Sequence, residues 1–159
     1  MKIQPLLDKF VDWIRAQPDV EAVALVGSYA RGDPTEESDV DLITLTTQVS
    51  KYIGPIPSSD PAGNWPWVEQ FGKAMKCEIE SWGRVKSLRV GYQDGVEVEY
   101  SFASPAWAGI PVDPGTRHVV SNGMKILFDS GGALAKLQQE VFATSRPGER
   151  QFRTKAPRR

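Results

Sequence analysis

Two aspartates one residue apart, Asp39 and Asp41, follow a small-residue turn at Gly27-Ser28 in this 159-residue chain. An apolar run, Val23 to Val26, leads into the turn. A short polar loop comes next, and Ser38-Asp39-Val40-Asp41-Leu42 opens a second apolar run. Alternate residues of a strand share a face, so on a strand the two carboxylates lie side by side. Adjacent anions repel, and the arrangement is costly unless a cation neutralises it. Hard oxygen ligands of this kind suit Mg²⁺, which is commonly held by one or two carboxylates together with substrate phosphates. Glycine at the turn lets a phosphate approach the backbone, and serine offers a hydroxyl. A helix starting there would aim free N–H groups at an anion. Taken singly, Asp-x-Asp reads as the wet face of a strand and Gly-Ser as a capped turn. Together, one segment offers a phosphate cradle and a metal clamp.

The elements that must position these groups follow from periodicity and turn chemistry. Leu6, Leu7, Phe10, Val11 and Ile14 recur at helical spacing, so residues 5–16 read as an amphipathic helix, with Pro5 in its first turn and Pro18 ending it. Val20–Val26 and Val40–Thr46 read as strands, and residues 28–32 as a helical turn between them. Residues 51–66, rich in Gly and Pro, read as a long loop of the kind that carries function, and residues 67–75 as a helix. Residues 87–92 and 96–102, joined by Gln93-Asp94-Gly95, read as a β-hairpin. Residues 119–128 suggest a short strand pair, or a turn feeding a strand at 125–128. Leu134, Leu137, Val141 and Phe142 describe a last helix. The expected fold class is α/β, in the α+β sense: a mixed β-sheet with helices packed against it. Residues 1–145 form the expected domain, and the basic stretch 146–159 a frayed tail.

Composition narrows the function classes. Net charge is −1, so no global field recruits nucleic acid or an anionic membrane. Cys77 is the only cysteine and His118 the only histidine, which excludes intrachain disulfides and multi-histidine or cysteine metal clusters. No apolar stretch is long enough to span a bilayer, and Asp8 and Asp12 interrupt the first apolar segment. A cytoplasmic protein is the expectation.

At Val26-Gly27-Ser28-Tyr29-Ala30-Arg31-Gly32-Asp33, followed by Ser38-Asp39-Val40-Asp41-Leu42, the chain resembles the DNA polymerase beta-like nucleotidyltransferase superfamily. The likeness is to its small bacterial members, the minimal and aminoglycoside-type nucleotidyltransferase domains. It covers residues 20–46 firmly and the hairpin loosely. The family pattern adds a third acid on a later strand. Asp94-Gly95-Val96-Glu97-Val98-Glu99-Tyr100 fits with Glu99 as that acid, and Glu97, two residues earlier on the same face, as its competitor.

The resemblance implies transfer of a nucleoside monophosphate, AMP from ATP, to an acceptor hydroxyl with release of pyrophosphate. Such chemistry needs positioning and charge neutralisation more than covalent help. Two Mg²⁺ ions roughly 4 Å apart would hold the attacking and leaving oxygens. On this basis Asp39, Asp41 and Glu99 are the expected catalytic and metal residues. Glu99 would hold the ion nearer the acceptor or take its proton. Gly27 and Ser28 would bind phosphates. Arg31 would steady the loop or neutralise the leaving pyrophosphate. The acceptor would be a small hydroxylated molecule or a protein side chain, with a homodimer or a helical partner protein to complete the assembly. Nucleic acid is disfavoured as a partner. The competing expectation is a catalytically degenerate fold that binds nucleotide or, antitoxin-like, a protein partner.

Other residues carry weaker signals. Trp65, Trp67, Trp82 and Trp107 read as core, with Trp65 and Trp67, beside the long loop, the better candidates for stacking on a base. Asp33 reads as a turn residue and His118 as structural or exposed. Arg84, Lys86 and Arg89 read as solvated surface that could touch phosphate.

Overall fold

The computed structural model describes residues 3–55, 58–59 and 61–144. Among the described residues there are five α-helices: α1 Gln4–Arg15, α2 Ser28–Arg31, α3 Val49–Ile53, α4 Pro114–Ser121 and α5 Ala133–Thr144. The strands are β1 Val20–Val26, β2 Val40–Thr46, β3 Ala74–Trp82, β4 Val85–Tyr92, β5 Glu97–Ala103 and β6 Met124–Asp129. They form one sheet in the order β3-β4-β5-β2-β1-β6. Only β2 and β5 pair in parallel; the other neighbours are antiparallel. The expected mixed sheet with helices against it is what the chain forms.

The two faces of the sheet carry different cores. On one, α1 lays down Leu6, Leu7, Phe10 and Ile14 against Val23, Val40, Leu42, Val98 and Tyr100. The four helix positions recur at the spacing that makes one helical stripe. On the other face, α4, α5 and the 3₁₀ turn Pro105–Ala108 cover Ala22, Ala24, Ile43, Leu45 and Ala103. Strand alternation assigns the faces: Val40 and Leu42 go to the first core, Ile43 and Leu45 to the second. Asp41 and Glu99 therefore lie on the second face, beyond the helices that cover part of it.

A buried carboxylate anchors the α3 side of the sheet. Asp19, on the turn into β1, accepts hydrogen bonds from Thr46 Oγ1 at 2.5 Å, Lys51 Nζ at 2.7 Å and Tyr52 Oη at 2.8 Å. Burial alone would raise its pKa, but the three donors outweigh burial and bring it down to about 2.

Several expectations need correction. Residues 67–75 are not an α-helix: a 3₁₀ segment, Pro66–Phe71, ends at Gly72, and β3 begins at Ala74. The stretch 51–66 is not one loop, since α3 enters it and a 3₁₀ turn, Pro61–Asn64, lies within it. Residues 119–121 close α4 rather than a strand, and only β6 follows the Asn122-Gly123 turn. Asp113 caps α4 by accepting from Gly115 and Thr116 N–H, with Pro114 at the first helical position. The tail 146–159 lies outside the described residues. Among the described residues no helix is long and apolar enough to cross a membrane.

Candidate active site

The parallel pairing of β2 with β5 puts Asp41 directly opposite Glu99. Paired residues of neighbouring strands share a face and sit about 5 Å apart. Asp39, two residues before Asp41, projects from the same side just ahead of β2. One carboxylate oxygen from each of Asp39, Asp41 and Glu99 lies within 4.8 Å of the others. Glu97 sits at the exposed start of β5, one side-chain step further out, and is not a member of this trio.

The turn between β1 and α2 approaches the trio from the side. Gly27 has φ 77°, a conformation open to glycine and strained for other residues. A Cβ added there would lie 2.5 Å from Asp41 Oδ2. Glycine is thus required twice at this position, by the backbone and by the carboxylate packed against it. The Gly27 carbonyl accepts from Ala30 and Arg31 N–H at 3.0 Å, which folds the next residues into the single helical turn of α2. The first N–H groups of such a turn lack partners within it. The loop back to β2 is closed by Ser38, whose Oγ accepts from Thr35 N–H at 2.8 Å.

Arg31 makes its bonds outside the trio. Its Nε meets Asp33 at 3.3 Å, and its Nη1 donates to the Asn122 carbonyl at 3.2 Å. Gly123 makes room for it: a Cβ there would meet Arg31 Cγ at 2.7 Å. Arg31 fastens α2 to the α4–β6 turn, and Asp33 is its exposed partner. His118 is exposed and pairs with the Asn122 amide at 3.1 Å.

Sequence reasoning set Arg89 aside as surface, yet the structure puts it among the acids. Arg89 pairs with Glu99 across the β4–β5 ladder. Its Nη1 donates to Asp39 Oδ2, and its Nη2 donates to Glu99 Oε1 at 3.0 Å. Glu80, on β3, forms a looser ion pair with the same Nη2 at 3.6 Å. The Glu80 Oε1 atom is buried and has no hydrogen-bond partner among the described residues. One guanidinium therefore serves three carboxylates. A signal was present: Arg89 sits on alternating β4, at the position where the Asp94-Gly95 hairpin registers it with Glu99.

Among the described residues Asp41 receives no such bond. Burial, then Glu99, then Asp39 push its carboxyl from 3.8 up to about 7, against the opposing pull of Arg89 and Arg31. Burial also raises Glu99, and Arg89 only partly offsets this. Three converging oxygens and a carboxyl held near neutral pKa by burial and then by its fellow anions make a donor set that fits a hard divalent cation. Such an ion would relieve the repulsion that raises Asp41.

Beside the trio opens a cavity of about 570 Å³. It reaches Asp41 and Glu99 and runs between the β3–β4 turn, the Pro105–Ala108 segment and α4. Of the four tryptophans considered, Trp82 and Trp107 line it. Trp82 stands 57% exposed at the hairpin tip, whereas Trp107 is buried. Trp65 and Trp67 are packing residues instead, with indole N–H groups donating to the Ile53 and Tyr52 carbonyls. The expectation that they were the better stacking candidates is reversed.

The family model described as "Nucleotidyltransferase domain" matches residues 7–105, well over half of the chain. A curated protein of Methanocaldococcus jannaschii, which carries the provisional name protein adenylyltransferase MJ1379, is 43% identical over 42 residues. That stretch is 26% of this chain and 42% of the archaeal protein. Two solved structures align with parts of this chain. An aminoglycoside 6-adenyltransferase from Bacillus subtilis aligns with 65% of this chain and 35% of its own, at 18% identity and a TM-score of 0.47. A nucleotidyltransferase-like protein from Exiguobacterium sibiricum aligns with 88% of this chain and 38% of its own, at 14% identity and a TM-score of 0.44. The chain spans less than half the length of each of these relatives.

Proposed function

The chain belongs to the nucleotidyltransferase domain family, and from that premise we propose that it moves AMP from ATP to an acceptor hydroxyl with release of pyrophosphate. The observation that carries this proposal is the convergence of Asp39, Asp41 and Glu99 within 4.8 Å beside the Gly27 turn. In this role Asp39, Asp41 and Glu99 would hold divalent metal, two Mg²⁺ ions suiting the hardness of these oxygens together with those of the phosphates. Bound metal would neutralise the triphosphate and stabilise charge on the attacking and leaving oxygens.

The chain's own residues do the rest. Gly27 lets the triphosphate approach the backbone, and Ser28 offers its hydroxyl and N–H. Arg31 acts on the loop rather than on the leaving group, through its bonds to Asp33 and Asn122. The acceptor oxygen forms its bond to the α-phosphorus as the bond from that phosphorus to the bridging β-oxygen breaks. Pyrophosphate leaves, and the acceptor proton passes to the Glu99 carboxylate. Protein adenylylation, the activity in the archaeal relative's name, would need a side-chain hydroxyl at the same position.

One observation favours a second function. Arg89 already neutralises Asp39 and Glu99, as expected of a binding module that has given up metal. Calorimetry separates the two. Mg²⁺-dependent ATP binding that is lost in Asp39→Ala/Asp41→Ala, together with pyrophosphate release when acceptor is added, supports transfer. ATP binding that is indifferent to Mg²⁺ and to the double substitution supports the module and overturns transfer.

A further inference from the structure

The cavity beside the acids has walls that are chemically selective. Val26, Ile43, Val85, Trp82, Trp107 and Val119 supply its apolar surface. The polar side chains along it are already engaged. Ser101 Oγ is bonded to Ser87 Oγ at 2.7 Å. Thr116 Oγ1 donates to the Trp107 carbonyl at 3.0 Å. Asp113 is used in capping α4. Arg84, exposed at the rim, donates to the Ala106 carbonyl at 3.3 Å and so ties the hairpin tip to the opposite wall. Arg84 and Asp113, both exposed, keep further hydrogen-bonding capacity, and at the end beside the trio the polar side chains are the carboxylates of Asp41 and Glu99, the latter also accepting from Arg89.

Three features say what fits. First, the size suits a small molecule: ligand cavities typically run from about 300 to 1,000 Å³. Second, the cavity touches Asp41 and Glu99 but not Gly27, Ser28 or Asp39. It therefore runs from Val26, just before the turn, along Asp41 and Glu99 without taking in the turn residues assigned to the triphosphate. Third, a sugar body would lose its hydration along the apolar walls and gain few hydrogen bonds there. A charged body would likewise lose its hydration against the apolar walls.

We propose that this cavity seats the acceptor, and that the acceptor is an uncharged alcohol with an aromatic or apolar body, its hydroxyl directed to Asp41 and Glu99. The inference rests on the transferase function above and narrows its substrate class. Trp82 then has a role that packing does not give it. An indole more than half exposed at a hairpin tip, with Gly83 at φ 61° behind it, covers one side of the bound ring.

The test uses the intrinsic fluorescence of the pocket tryptophans and 4-nitrophenethyl alcohol, whose nitroaromatic ring quenches indoles. Saturable quenching is expected in the wild-type chain. It should persist at saturating Mg²⁺ and a non-hydrolysable ATP analogue, because alcohol and nucleotide occupy different flanks. Affinity for the alcohol should fall at least tenfold in Val119→Trp, which fills the cavity, and in Trp82→Ala, which alters only an exposed position. ATP-analogue affinity, measured by calorimetry, should change less than twofold in both. Competition between alcohol and analogue would assign the cavity to the base and overturn the proposal. So would absence of quenching, equal alcohol affinity in all three proteins, or tighter binding of a polyamino sugar such as kanamycin. A wild-type chain that binds neither Mg²⁺ nor the analogue would overturn the transferase function as well, whereas normal analogue binding without alcohol binding overturns the acceptor class alone.

Discussion

Gly27 and Asp41 are so closely packed that a single methyl group on the glycine would stand 2.5 Å from the aspartate's Oδ2. Real Cβ atoms do not approach oxygen so closely, so one of the two must move. Asp41 is held by its strand, with Val26 opposite it on β1 and Glu99 on β5. The turn and the acid pair are thus one mechanical unit, although they are 14 positions apart by their numbering.

Gly27→Ala tests that unit. The positive φ costs about 1–3 kcal/mol for a residue with a Cβ, and the collision displaces the Asp41 carboxylate. The variant should melt several degrees lower, and Mg²⁺-ATP affinity should drop at least tenfold by calorimetry. A variant that binds Mg²⁺-ATP normally would show that the turn and Asp41 do not act together.

Asp41→Asn should stabilise the protein while abolishing transfer. The folded-state pKa of Asp41 is raised to about 7, so between pH 4 and 7 the folded chain holds a proton that the unfolded chain releases. The cost of ionising this carboxyl grows as pH rises through that window and is complete above it. The melting-temperature gain of the variant should therefore be largest near pH 8 and shrink towards pH 4. A gain that is flat across this range would contradict the burial and repulsion assigned to Asp41.

Arg89→Gln leaves Asp39, Glu99 and Glu80 without their shared cation. Partial exposure screens the repulsion, so the loss without metal should be about 1–3 kcal/mol. A divalent ion taken up by the same acids should restore it. Thermal melts with and without 10 mM Mg²⁺ (on the order of that needed to saturate a weak site) should differ by several degrees more in the variant than in the wild type. Equal Mg²⁺ responses would argue that the trio is no metal site.

Asp19 sets an acid limit that is separate from the acid trio. Its folded pKa of about 2 lies below its ordinary value of 3.8. It contributes stability above pH 4, roughly 2 kcal/mol, which is lost as pH falls through 4 towards 2. Asp19→Asn should remove this part of the acid transition in denaturation monitored by circular dichroism. Asp19→Ala should cost more, about 2–4 kcal/mol at neutral pH, because Thr46, Lys51 and Tyr52 lose their common acceptor.

Much of this protein was written locally. β1 and β2 run over the residues that their apolar, β-branched composition marks, Val20–Val26 and Val40–Thr46. The amphipathic stripe of α1 and the Asp94-Gly95 turn are equally plain, since each depends on neighbours within a few positions. The Asp113-Pro114 helix start was equally local, and a capping signal would have revealed α4. By contrast, β3 reads Ala-Met-Lys-Cys-Glu-Ile-Glu-Ser-Trp, rich in residues at home in a helix and largely exposed at the sheet edge. Only the hydrogen bonds offered by β4 make it a strand.

The sequence by itself determined that Gly27, Ser28, Asp39 and Asp41 belong together, because a turn and an alternating strand carry their own geometry. It left Glu97 and Glu99 as rivals and Arg89 on the surface. Tertiary structure decided both matters through the register of β5, which takes Asp41 on one side and Arg89 on the other as the partners of Glu99. It also turned Trp82 outward and Trp65 inward. Those outcomes depend on which strands become neighbours, and strand pairing is settled by the energy of the whole sheet rather than by any short stretch of chain.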